Sequence, residues 1–166
     1  MLDMGFAPQI NRILKVVPRK RQTMLFSATM PNEIVSIARS HMELPINVEI
    51  APSGTAADNV AQEVFFVAKE AKIRLLEVVL NQIPGPALIF TRTKHGAKKL
   101  ARQVKAIGHK VADIHSDRSL AQRRDALDGF KSGKYRVLVA TDIAARGIDV
   151  TGIEVVVNYG LPSTSE

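Results

Sequence analysis

The chain has 166 residues, 46% hydrophobic and 23% charged, with no cysteine, a formal net charge of +7 and a sequence pI near 9.9. That apolar share supports a packed core rather than disorder, and the lack of cysteine excludes disulfides and thiolate metal sites. No apolar run reaches the roughly 20 residues of a membrane helix, the opening residues show no signal-peptide pattern, and the basic excess is compatible with a polyanionic partner; the compartment expected is the cytoplasm.

In chain order, Phe6, Ile10, Ile13, Leu14 and Val17 recur at helical spacing, and Pro18 stops that helix. The basic cluster Arg19-Lys20-Arg21 reads as a solvated connection. A short strand is expected over 23–27. Pro31 fits the first turn of a second helix that runs through Ile34, Val35 and Ala38 to about His41. An extended stretch, 46–50, follows. Residues 51–59 have linker composition, small and polar with Pro and Gly. The 50 residues before them hold too few elements to close a sheet on both faces, so they read as the end of a larger domain.

Beyond the linker the pattern becomes regular. Residues 64–67 are strand-like. Ile73, Leu76, Val79 and Leu80 mark a helix, 87–90 a strand, and Leu100, Val104 and Ile107 a helix with Gly108 suited to its C′ position. Residues 111–114 form a strand. Ser119 is placed as the N-cap of a helix through Leu127 and Phe130, ending near Gly133. Strands over 137–140 and 155–159 complete the series. Strands alternating with helices predict an α/β fold, a parallel sheet with helices on both faces.

The polar residues gather just after strands, where open α/β sheets bind ligands. Thr141, Asp142, Arg146, Gly147 and Asp149 follow the buried strand 137–140; an ion-paired loop is the alternative. Thr91, Arg92, Thr93 and Lys94 follow strand 87–90, and their hydroxyls and cations suit phosphate contacts, although Thr93 also suits a helix cap. Ser27 and Thr29 follow the first strand, where Thr29 also suits a cap. His115, Ser116, Asp117, Arg118 and Ser119 lie between strand and helix; Arg123 beyond them is otherwise a surface charge. Nothing matches G-x-x-x-x-G-K-[ST], the loop that cradles phosphates, and there is no Asp-Glu-Ala-Asp run to hold Mg²⁺.

These stretches resemble the motifs of the DEAD-box RNA helicases of superfamily 2. Residues 140–149, Ala-Thr-Asp-Ile-Ala-Ala-Arg-Gly-Ile-Asp, resemble motif V. Ser27-Ala28-Thr29 resembles motif III, and Leu88-Ile-Phe-Thr-Arg-Thr93 resembles motif IV. Residues 1–6 resemble the segment after the Asp-Glu-Ala-Asp box. Residues 115–119 resemble the family's His-Gly-Asp segment, with Ser116 for Gly and Leu120 for the following Gln, while Asp117 and Arg123 match. Asn158-Tyr159-Gly160-Leu161-Pro162 resembles Asn-Tyr-Asp-Leu-Pro with Gly160 for Asp.

The resemblance implies a RecA-like organisation: 1–50 the C-terminal piece of a first RecA-like, ATP-binding domain, 51–59 a linker, and 60–166 most of a second, stopping before the arginine-rich motif VI. It implies that Ser27 and Thr29 couple ATP hydrolysis to strand separation, that Asp149 accepts from the ATP ribose, and that Arg146 organises the loop and domain interface. Thr91, Arg92, Asp117, Arg123, Thr141 and Gly147 would contact RNA, mainly its sugar–phosphate backbone. ATP and Mg²⁺ would be used by the full-length parent, whose first domain supplies the metal ligands. The chain alone would be inactive, a monomer, and independent of membranes. The alternative is a non-enzymatic RNA-binding or interaction module.

Overall fold

A computed structural model of the chain describes residues 6–27, 30, 32–48, 60–145 and 149–160. The chain divides into two compact units, Met1–Glu63 and Val64–Ser165. The expected linker, 51–59, lies outside the described residues, as does Pro31.

In the first unit, α1 spans Ala7–Val16, with Pro in its first turn and Val17, just before Pro18, as its C-cap. Helix α2 spans Asn32–His41. Arg19 and Lys20 are exposed, but Arg21 departs from the solvated reading of its cluster. Its guanidinium donates to the Pro18 carbonyl at 2.9 Å, to Thr23 Oγ1 at 3.1 Å and to the His41 carbonyl at 3.4 Å. It thereby ties the turn after α1 to the end of α2, where a cation suits the unsatisfied carbonyls.

The strand expected over 23–27 is not formed, and neither is regular structure over 46–48. A strand exists only with a hydrogen-bonded neighbour, and the described residues of this unit supply none. Phe26 is consequently 84% exposed.

The second unit is built on a four-stranded, all-parallel sheet in the order β2-β3-β1-β4. A 3₁₀ turn, Lys69–Ala71, leads into α3 (Lys72–Gln82). Then come β1 (Ala87–Thr91), α4 (Lys94–Ala106), β2 (Val111–Ile114), α5 (Leu120–Lys131), β3 (Val137–Thr141), the single turn α6 (Asp142–Ala145) and β4 (Val155–Asn158). Residues 64–67 carry strand-forming side chains but pair with nothing among the described residues; Phe66 is fully exposed, at 100%.

Strand periodicity of two splits the core into two layers. Ala87, Ile89, Val137 and Val139 face α3 and α4, meeting Leu76, Leu80, Ala97, Leu100, Ala101 and Val104. Leu88, Leu138, Ala140 and Ile114 face the other way, meeting Ala126 and Phe130 of α5, with Ala144 of α6 alongside. The α4 residues 97, 100, 101 and 104 are a one-face helical stripe. Both central strands are buried on both faces, which explains their unbroken apolar runs.

The helix ends follow local chemistry. Thr93 caps α4, its hydroxyl accepting from the Gly96 N–H at 3.0 Å. Ser119 caps α5 in a reciprocal capping box with Gln122. Gly108 and Gly133 sit one residue past the caps of α4 and α5, at φ of 96° and 77°, in the left-handed region that glycine enters without steric cost.

Candidate nucleic-acid interface

Parallel pairing brings the candidate residues of β1 and β3 side by side. Thr91 and Thr141 are direct register partners at the carboxyl ends of the two central strands. The chain leaves them toward opposite faces: α4, after β1, packs in one layer, and α6, after β3, touches the other. Adjacent strands whose connections diverge open a crevice at the carboxyl edge, the usual ligand position of such sheets. Thr91 is 4% exposed and its hydroxyl donates to the Thr93 carbonyl at 3.3 Å. Thr141 is half-buried and Arg92 exposed.

The loop after β2, residues 115–119, is held by a network. His115 is 3% exposed, with Nε2 2.9 Å from Asp113 Oδ2. Its Nδ1 accepts from the Asp117 backbone N–H at 3.2 Å, so the ring proton sits on Nε2 and points to Asp113. The other Asp113 oxygen takes Arg118 at 2.5 Å. Arg123 donates to the carbonyls of Arg118 at 3.1 Å and Ser116 at 3.4 Å. Arg123 is therefore more than a solvated charge: it braces this loop from α5. Lys94, in the first turn of α4, reaches the Asp117 carboxylate at 2.8 Å, joining the β1–α4 and β2–α5 connections across the carboxyl edge. That hydrogen bond holds the Asp117 carboxyl below its ordinary range.

Asp149 is exposed, next to Val150, which packs against the α5-side layer of the sheet. Ser27 is exposed in the first unit. Thr29, Arg146 and Gly147 lie outside the described residues. Sequence reading missed Lys94 as a bridge and Asp113, His115 and Arg118 as the loop's support. The signal was available for one pair: Asp113, on β2, and His115, just past its end, are two apart in extended chain and share a face.

Among the described residues no three His, Asp or Glu side chains gather as a metal site, and no helix is long and apolar enough to cross a membrane. The described residues do not form a Mg²⁺ cradle.

Residues 70–166 match the helicase conserved C-terminal domain, and residues 1–37 match the DEAD/DEAH box helicase model. The ATP-dependent RNA helicase DbpA of Bacillus subtilis is 40% identical across all of this chain, which covers 35% of that protein. The ATP-dependent rRNA helicase RRP3 of Candida albicans is also 40% identical, with all of this chain covering 31% of it. The chain thus spans about a third of the length of these curated relatives. Saccharomyces cerevisiae Dbp5 bound to RNA and ADP BeF3 is 30% identical, with a TM-score of 0.84 over 97% of this chain and 42% of that one. A DEAD box protein from Methanococcus jannaschii is 34% identical, with a TM-score of 0.60 over 99% of this chain and 44% of that one. The four-stranded parallel sheet between two helical layers is RecA-like, as in these proteins. The chain belongs to the DEAD-box helicase family, and its residues 70–166 are that family's conserved C-terminal domain.

Proposed function

We propose that this chain is the RNA-gripping part of an ATP-dependent RNA helicase. The observation that carries the reading is the pairing of Thr91 with Thr141 at the diverging carboxyl edge, with Lys94 linking that edge to the loop over 115–119. The names of the relatives and the RNA-bound state of Dbp5 support it.

Thr141, Arg92 and Lys94 offer a hydroxyl and two cations, the groups that contact phosphates and sugars without reading bases. Thr91, its hydroxyl turned to Thr93, ends β1 and sets where Arg92 emerges. Asp117 and Arg123 shape the neighbouring loop, whose backbone comes close to the strand. Gly147 lets the motif V backbone approach a phosphate, and Arg146 organises that loop. Asp149 accepts hydrogen bonds from the ATP ribose; a carboxylate at the sugar stays clear of the triphosphate's like charge. Ser27 and Thr29 couple hydrolysis to strand separation in the same scheme. ATP and Mg²⁺ require a phosphate loop and an acidic box that this sequence does not contain. The working form is a cytoplasmic monomer that closes on RNA with an ATP-binding domain.

The test is RNA binding by the 166-residue chain at low salt, on two oligonucleotides of unrelated sequence. Thr141→Ala and Arg123→Ala each weaken binding about five- to tenfold on both and shallow the salt dependence. The chain alone shows no RNA-stimulated ATP hydrolysis. A loss confined to one RNA sequence, or stimulated hydrolysis in a clean preparation, contradicts the reading.

A further inference from the structure

Beside the carboxyl ends of β1 and β4 lies an open cleft of about 680 Å³ that shares only Thr91 and Arg92 with the proposed grip. Lys69, Lys72, Arg92 and Lys99 line it, against a single carboxylate, Glu70. Among the described residues the ion pairs are Lys94–Asp117, Asp113 with His115 and Arg118, and Lys134–Asp125; none of the four cleft cations takes part in one. Four cations around one concavity raise its potential and concentrate anions there.

The cleft is also shaped. Ile73 and Leu100 form an apolar part of its wall. Lys72 Nζ donates to the Tyr159 carbonyl at 2.9 Å and lies 5.5 Å from the centre of the Tyr159 ring, fixing the end of β4 to the start of α3. A cationic rim over apolar and aromatic surface is the combination that takes a phosphate with its attached sugar and base. Gly160 opens the remaining side. A Cβ there would meet only the Arg92 backbone N, at 3.9 Å, and its φ lies outside the left-handed region, so a side chain fits. The Asn-Tyr-Asp-Leu-Pro pattern that residues 158–162 resemble carries a carboxylate at this position. A carboxylate placed at Gly160 would offset the cleft's excess of cations.

We infer that the cleft is a nucleotide subsite that extends the RNA grip by a further phosphate. Continuity with the grip favours RNA over an acidic peptide. Thr91 ends β1 at the grip and also lines the cleft, and Arg92 stands next to it on both. A strand held at Thr141 thus runs over Arg92 into the cleft without a break. This inference rests on the proposed function, and the experiment separates the two.

The experiment measures fluorescence anisotropy of the 166-residue chain with labelled oligouridylates of about five and about twelve nucleotides, at low salt, for wild type, Gly160→Ala, Gly160→Asp and Thr141→Ala. Gly160→Ala behaves as wild type at both lengths. Gly160→Asp binds the short oligonucleotide as wild type does but loses about tenfold on the long one, with a salt slope lower by about one. Equal binding by Gly160→Asp and Gly160→Ala at both lengths overturns the subsite; if Thr141→Ala still weakens binding, the grip stands without it. An equal loss at both lengths also overturns it, as repulsion at a distance. A wild-type chain that binds neither oligonucleotide overturns both the subsite and the grip. A labelled polyglutamate peptide that binds wild type and is lost in Gly160→Asp, while RNA is not, assigns the cleft to an acidic partner instead.

Discussion

At Arg136, on the amino edge of β3, one guanidinium serves several partners. It donates to the carbonyls of Leu80, Ile83 and Gly85 and to His109 Nδ1, the last at 2.8 Å. Two of these carbonyls end α3, so Arg136 satisfies a helix C-terminus from a neighbouring strand. Arg136→Met keeps much of the stem packing and orphans those carbonyls. The expected loss is about 2–3 kcal/mol, read from urea unfolding of the chain. His109 accepts from Arg136, and burial and then that cation hold its pKa below the ordinary 6.5. Well above 6.5 the imidazole is neutral folded and unfolded alike. Below it the unfolded chain takes the proton first, so stability falls until the pH passes the folded value. The urea midpoint should drop as the pH falls through 6.5, and His109→Asn, which keeps an acceptor for Arg136, should flatten that drop. At this scale the sequence made Thr91 and Thr141 legible, because strand ends are marked by where apolar runs turn polar. Arg136 was not legible. Its carbonyl partners lie more than 50 residues away, and nothing local distinguishes it from a surface arginine.

Helix α5 shows how an element answers to its neighbours. Gly129 sits near its C-terminal end, where Ala is ordinarily favoured by up to about 1 kcal/mol. Here a Cβ would lie 2.5 Å from the Tyr135 ring, which packs back over the helix. Gly129→Ala is therefore expected to lower stability by about 1–2 kcal/mol by thermal or urea unfolding; a more stable variant would show that Tyr135 moves freely. The caps of α4 and α5 were readable because Thr93, Ser119, Gly108 and Gly133 act within a few residues of their own helices. The strands expected over 23–27 and 64–67 were misread for the converse reason. Their side chains have strand propensity, but strand formation depends on a partner that local sequence does not encode. Their exposed Phe26 and Phe66 mark where that partner is wanting among the described residues.

For the whole molecule, sequence periodicity was enough to foresee a parallel sheet with helices on both faces, since each strand–helix alternation implies a crossover. The strand order β2-β3-β1-β4 was not readable from it. That order is what seats motif IV against motif V and the loop over 115–119 beside them, through the register of β1 and β2 on β3. The account therefore rests on the carboxyl edge of one sheet acting as a grip for RNA. Backbone amide NMR of the 166-residue chain, titrated with single-stranded RNA, tests this most directly. Shifts are expected at Thr91, Arg92, Lys94, Asp117 and Thr141, similar for RNAs of unrelated sequence. Shifts centred on the amino edge, around Gly85, Lys110 and Arg136, or none at saturating RNA, would contradict it.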